Sequence, residues 1–112
     1  MKKVECILRP GKLEEVKDAL SRFGVKGMTV YQVMGCGLQG GRKEVYRGTE
    51  LTINLLPKIK MEIVVADKDA DEIVAIITKT AKTGQIGDGK IFISPVENVV
   101  RIRTGESAES AI

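Results

Sequence analysis

The sequence contains no histidine, and only two cysteines, Cys6 and Cys36, occur among its 112 residues. That shortage removes most zinc chemistry and every acid–base or nucleophilic mechanism that turns on an imidazole. No CxxC pair accompanies the cysteines, and a thiol on an alternating apolar face behaves as a small hydrophobe, so both are expected to be buried. Aromatic residues are nearly as scarce, with two tyrosines and two phenylalanines. Base-stacking surfaces need exposed aromatics at short spacing, and here the net charge of +3 comes from eighteen basic residues interleaved with fifteen acids. No nucleic-acid partner is expected. No apolar run is long enough for a membrane span, and Met1-Lys2-Lys3 leads straight into an alternating pattern rather than a signal sequence, so a cytoplasmic protein is expected. What remains is 43% hydrophobic and 29% charged. That is the composition of one globular domain over 1–112, a size that buries roughly two-thirds of the unfolded chain's surface.

Val4, Cys6 and Leu8 alternate with Lys3, Glu5 and Arg9, which predicts a strand over 3–9 ended by Pro10-Gly11. Leu13, Val16, Leu20 and Phe23 form one helical stripe with Gly24 as its stop. A second strand follows over 28–34. Residues 37–55 show no sustained period. Alternation resumes over 57–66, where Ile59, Met61, Ile63 and Val65 share a side. Asp69 with Glu72 resembles a capping box opening a second helix, buried through Ile73, Ile76, Ile77, Thr80 and Ala81. Strands over 90–94 and 96–103 complete the pattern, and the small, acidic tail over 105–112 is expected to be a flap or disordered. Two βαβ halves interleaved in one antiparallel sheet, with both helices on one face, predict an α+β, ferredoxin-like domain (βαβ-βαβ plus a C-terminal β). Val64, Val100 and Ile102 place apolar groups on the other face, which a homo-oligomer would cover.

Chemistry concentrates in Thr83-Gly84-Gln85-Ile86-Gly87-Asp88-Gly89-Lys90. Its glycines let successive N–H groups converge, and Lys90 adds a cation at the rim, a pattern suited to phosphate. The letters match most of a Walker A loop, but Ile91 replaces the Mg²⁺-binding Ser or Thr, and the loop leaves a helix for a strand instead of the reverse. A helix cap at Gly84 followed by a tight turn explains the same residues. Gly35 to Gly40 spell GxGxxG, yet no helical stripe or ribose-binding acid follows, so these glycines read as a hinge. A segment such as 37–55 within a compact domain is either a binding loop or an insert, and Tyr46, Leu51, Ile53 and Leu55 favour a protein partner. Arg101 and Arg103, two apart on a predicted strand, share a face and suit phosphate oxygens; a solvated edge is the alternative. Lys58 reads as a lone lysine. No residue is an evident nucleophile or general base.

The run from Thr83 to Phe92, the run Val100-Arg101-Ile102-Arg103-Thr104-Gly105-Glu106, Tyr46-Arg47-Gly48 and Gly27-Met28-Thr29-Val30 resemble the PII nitrogen-signalling proteins along essentially the whole chain. The resemblance implies a regulatory homotrimer with ATP or ADP in each inter-subunit cleft and a long T-loop over about 37–55. It would place phosphate on Gly87, Asp88, Gly89 and Lys90 with Arg101 and Arg103, the adenine against Thr29 and Val64, and Gly37 beside the phosphates. It also implies 2-oxoglutarate next to Mg²⁺-ATP, with Gln39 at the metal and Lys58 pairing a carboxylate beside Gly87. A doubly anionic keto acid needs such a cation, and its oxygens can chelate a metal held by the triphosphate. Partners would be an ammonium transporter, the only link to a membrane, or a nitrogen-assimilation enzyme or regulator, met through Tyr46, Arg47, Thr49 and Leu51. Three positions depart from the family pattern. Leu38 stands where many members carry an arginine to the nucleotide phosphates. Leu51 replaces the tyrosine that some members uridylylate, and Thr49 falls where others carry a phosphorylated serine. A small phosphate-handling, acylphosphatase-like enzyme is the alternative function.

Overall fold

The computed structural model describes residues 1–36 and 55–112 with their side chains, together with the backbone of 42–46 and 49–53. Strand β1 (Lys2–Leu8) leads through a 3₁₀ turn at Pro10–Lys12 into helix α1 (Leu13–Phe23), followed by β2 (Thr29–Gly35). Strands β3 (Arg42–Tyr46) and β4 (Thr49–Ile53) precede β5 (Leu56–Val65), helix α2 (Asp67–Ala81) and β6 (Lys90–Pro95). The main sheet runs β2-β5-β1-β6 with every neighbouring pair antiparallel, which is the predicted ferredoxin-like arrangement.

The core follows from the alternation. Val4 faces Ile63, Cys6 faces Met61 and Leu8 faces Ile59 across β1 and β5. Upon this row pack Val16 and Leu20 of α1 and Ala70, Ile73, Ile77 and Ala81 of α2, so both helices cover one face. Gly24 ends α1 in a left-handed conformation, φ 114°, its N–H donating back to the Leu20 and Ser21 carbonyls. On the opposite face Lys3 pairs with Glu62 at 3.1 Å and Lys60 with Glu5 at 3.2 Å, and the Lys60 ammonium sits 5.0 Å from the Tyr31 ring centre.

Several expectations are corrected. Residues 42–46 and 49–53 pair as antiparallel strands of a separate two-stranded sheet, and strands of five residues are too short to leave a sustained period. The predicted strand over 96–103 is absent: after Pro95 the chain turns upon itself through a single bridge, Val100 to Ser107. The Asn98 side-chain oxygen accepts from Val99 N and Ala108 N, and Gly105, φ 73°, lets its own N–H reach the Arg101 carbonyl at 2.8 Å. Val100 and Ile102 are consequently exposed on this turn rather than on the sheet. The tail carries a 3₁₀ turn, Ala108–Ala111. Helix α2 begins at Asp67 after Ala66 with no side-chain cap bond, so Asp69 and Glu72 form no capping box.

Cys36 is exposed, because β2 and its alternation have ended at Gly35, whereas Cys6 is buried and its thiol pushed up to about 11 by desolvation. A thiol reagent should therefore modify one cysteine per native chain and two after denaturation. Rapid modification of both in the native state would show that β1 opens readily.

Candidate functional site: the glycine loop and Lys58

Helix α2 ends at Ala81 and is capped by Lys82, whose N–H reaches the Thr78 carbonyl at 3.2 Å, so Gly84 is not its cap. The chain then bends through Gly84, Gly87 and Gly89, with φ of 87°, 104° and 100°, a region that side-chain-bearing residues avoid. The Asp88 carboxylate closes this loop. It accepts from Thr83 N at 2.8 Å, Gly84 N at 2.9 Å, the Thr83 hydroxyl, and Arg9 Nε at 3.1 Å. The Thr83 hydroxyl above all, joined by the Thr83 and Gly84 N–H groups and Arg9, holds this carboxyl far below the usual carboxylate range, overcoming an opposing effect of burial second in size only to that hydroxyl.

Two cations from the sheet reach the same loop. Arg9, at the exit of β1, also donates from Nη2 to the Ile86 carbonyl at 2.9 Å. Lys58 of β5 is only 9% exposed, and its Nζ donates to the Gly87 carbonyl at 2.8 Å. Its stem runs against β2, where a Cβ on Gly35 would come 3.0 Å from Lys58 Cγ. Burial first, and then the Arg9 charge, push the Lys58 pKa down, with Asp88 acting in the opposite direction. The structure thus brings Lys58 to Gly87 and adds Arg9 at Asp88 and Ile86, with Gly89 and Lys90 following along the chain. Sequence reasoning passed over Arg9 because its partners lie 77 and 79 residues away.

The remaining candidates lie elsewhere. Thr29, Val64 and Arg101, with Met28 and Glu62, line a groove of about 750 Å³. Asp88, Gly89 and Lys90 line a different cleft, of about 330 Å³. Lys58 and Val64 lie six positions apart along β5, roughly 20 Å of strand. Arg101 and Arg103 do not share a strand face: both lie in the turn after Val100, where Arg101 stands 3.9 Å from Glu106 and Arg103 is exposed. Gly37, Leu38, Gln39 and Arg47 fall outside the described residues. Tyr46 and Thr49 oppose each other where β3 meets β4, and Leu51 opposes Glu44. Among the described residues no group of three His, Cys, Asp or Glu side chains could hold a metal ion, and no helix is long and apolar enough to cross a membrane.

The model of the nitrogen regulatory protein P-II family matches residues 1–106. The chain belongs to this family. It is 54% identical over 112 residues to the nitrogen regulatory protein P-II of Pasteurella multocida, covering all of both chains. Identity is 50% with the nitrogen regulatory protein GlnK of Escherichia coli K12 and 59% with the P-II protein of Microchaete diplosiphon, again over the full length of both chains. Against this P-II membership, the separation of Thr29, Val64 and Arg101 from the glycine loop concerns residues that the family resemblance assigns to one nucleotide.

Proposed function

We propose that this P-II protein is a cytoplasmic regulator of nitrogen assimilation that binds ATP or ADP at its glycine loop. It senses 2-oxoglutarate at Lys58 and reports the ligand state through residues 37–55 to an ammonium transporter, or to a nitrogen-assimilation enzyme or regulator. The observation that carries this reading is the meeting of a glycine-built loop, rimmed by Lys90, with the buried cation Lys58 at Gly87. The Gly87 N–H donates to nothing among the described residues, which leaves it for a phosphate oxygen. The 20 Å between Lys58 and Val64 is resolved by a homotrimer, in which one subunit supplies the loop and its neighbour supplies Thr29, Val64, Arg101 and Arg103. The Asp88 carboxylate is committed to donors and is a poor metal ligand. Mg²⁺ would therefore rest on the triphosphate, with Gln39 as the protein group, and would supply a chelation point for the keto acid.

Calorimetry with ATP, ADP and 2-oxoglutarate in combination tests the reading. The keto acid should bind only with Mg²⁺-ATP, and by linkage should tighten ATP by the same factor. Binding of 2-oxoglutarate that ignores the nucleotide would sink it, and sustained turnover of ATP or an acyl phosphate would instead favour the acylphosphatase-like alternative.

A further inference from the structure

We propose that Arg9 and Asp88 form a clasp that sets the glycine loop in its anion-accepting conformation before any ligand arrives, with Asp88 as internal strut and Arg9 as a positioning residue. The proposal rests on the reading that this loop receives phosphate groups. An acid inside a phosphate loop is otherwise a liability, because its charge repels the ligand. Here the carboxylate is turned inward and saturated by the two Thr83 donors, Gly84 N and Arg9 Nε.

The same guanidinium spans two points of the loop, Asp88 Oδ1 through Nε and the Ile86 carbonyl through Nη2. Lys58 fixes the next carbonyl, that of Gly87. All peptides in the described chain are trans, and a trans peptide unit directs its N–H opposite to its C=O. Fixing the Ile86 and Gly87 carbonyls on the Arg9 and Lys58 side therefore turns the N–H groups of Gly87 and Asp88 to the other side. Of these the Gly87 N–H donates to nothing among the described residues, while the Asp88 N–H closes the turn over Ile86 and Gly87. Arg9 and Lys58 thus aim the loop from the side opposite its free Gly87 donor.

The test compares wild type, Asp88→Asn and Arg9→Lys by titration with ATP and with inorganic tripolyphosphate, alongside ligand-free amide exchange over residues 84–89. Each variant should bind both probes roughly tenfold more weakly, the loss expected for one charge-assisted hydrogen bond, and exchange should quicken by a similar factor. Asp88→Asn removes a negative charge, so a carboxylate that merely sat near the ligand would give tighter binding when neutralised. Unchanged or tighter binding overturns the clasp. Arg9→Lys keeps the charge but cannot span Asp88 and the Ile86 carbonyl together, so wild-type affinity in that variant also overturns it. If Asp88→Asn does not fold, Arg9→Lys alone decides. Should wild type bind neither probe, the phosphate reading fails, while unchanged amide exchange in the variants would separately overturn the clasp.

Discussion

Gly89→Ala should destabilise the domain by about 4 kcal/mol or more, a drop in melting temperature of over ~15 °C by circular dichroism. Two independent costs meet at this position. Its φ of 100° is strained for any residue with a Cβ, which accounts for about 1–2 kcal/mol. The larger cost is steric. An added Cβ would stand 1.7 Å from the Ile7 carbonyl oxygen and 2.7 Å from its carbon, with Leu8 Cα at 3.3 Å. These are backbone atoms of β1, a strand flanked by β5 on one side and β6 on the other, and Ile7 is already paired with Lys60 and Lys90. No rotamer change relieves the clash, so the start of β6 must leave β1. Gly84→Ala is the matching control, since φ there is 87° but nothing lies within 4 Å of the added Cβ. That change should cost only about 1 kcal/mol. Equal losses in the two variants would show that the close approach to Ile7 is not what requires glycine at 89.

Much of this fold is legible in the sequence because its signals are local and repeated. Val4, Cys6 and Leu8, and then Ile59, Met61, Ile63 and Val65, announce two strands whose buried faces pair in register. Two misreadings have opposite causes. The segment 96–103 is rich in Val and Ile, so propensity suggests a strand, but Asn98 and Gly105 offer side-chain and left-handed backbone solutions that close a turn instead. The paired strands over 42–46 and 49–53 leave no sustained period because they are five residues each and, among the described residues, pair only with each other. In the site, the composition of the glycine loop was visible and its construction was not. Asp88 reads as one more polar turn residue until Arg9 is brought across 79 positions, and Lys58 reads as a solvated lysine until β5 sets it against Gly87. Both contacts depend on strand order, which no local pattern encodes.

Lys58→Ala should weaken 2-oxoglutarate binding in the presence of Mg²⁺-ATP by at least ~100-fold, while ATP itself loses less than ~10-fold. The asymmetry follows from what the side chain does. Towards the nucleotide it acts at one remove, by holding the Gly87 carbonyl at 2.8 Å, and the Arg9 bonds to Ile86 and Asp88 survive its removal. Towards a dicarboxylate it would supply a full charge from a site where it is 9% exposed, and a desolvated cation gains more from an incoming anion than a hydrated one does. The pH dependence has a definite sign. Burial and Arg9 place the Lys58 pKa below the ordinary 10.5. Keto-acid binding should therefore fall away at a lower alkaline pH than an exposed lysine would give, and that fall should vanish in Lys58→Ala. Calorimetry at two alkaline pH values, with a thermal melt of each protein, separates the possibilities. Equal loss of ATP and keto acid would mean that Lys58 serves the loop or the phosphates instead, and a large fall in melting temperature would mean that it serves the fold.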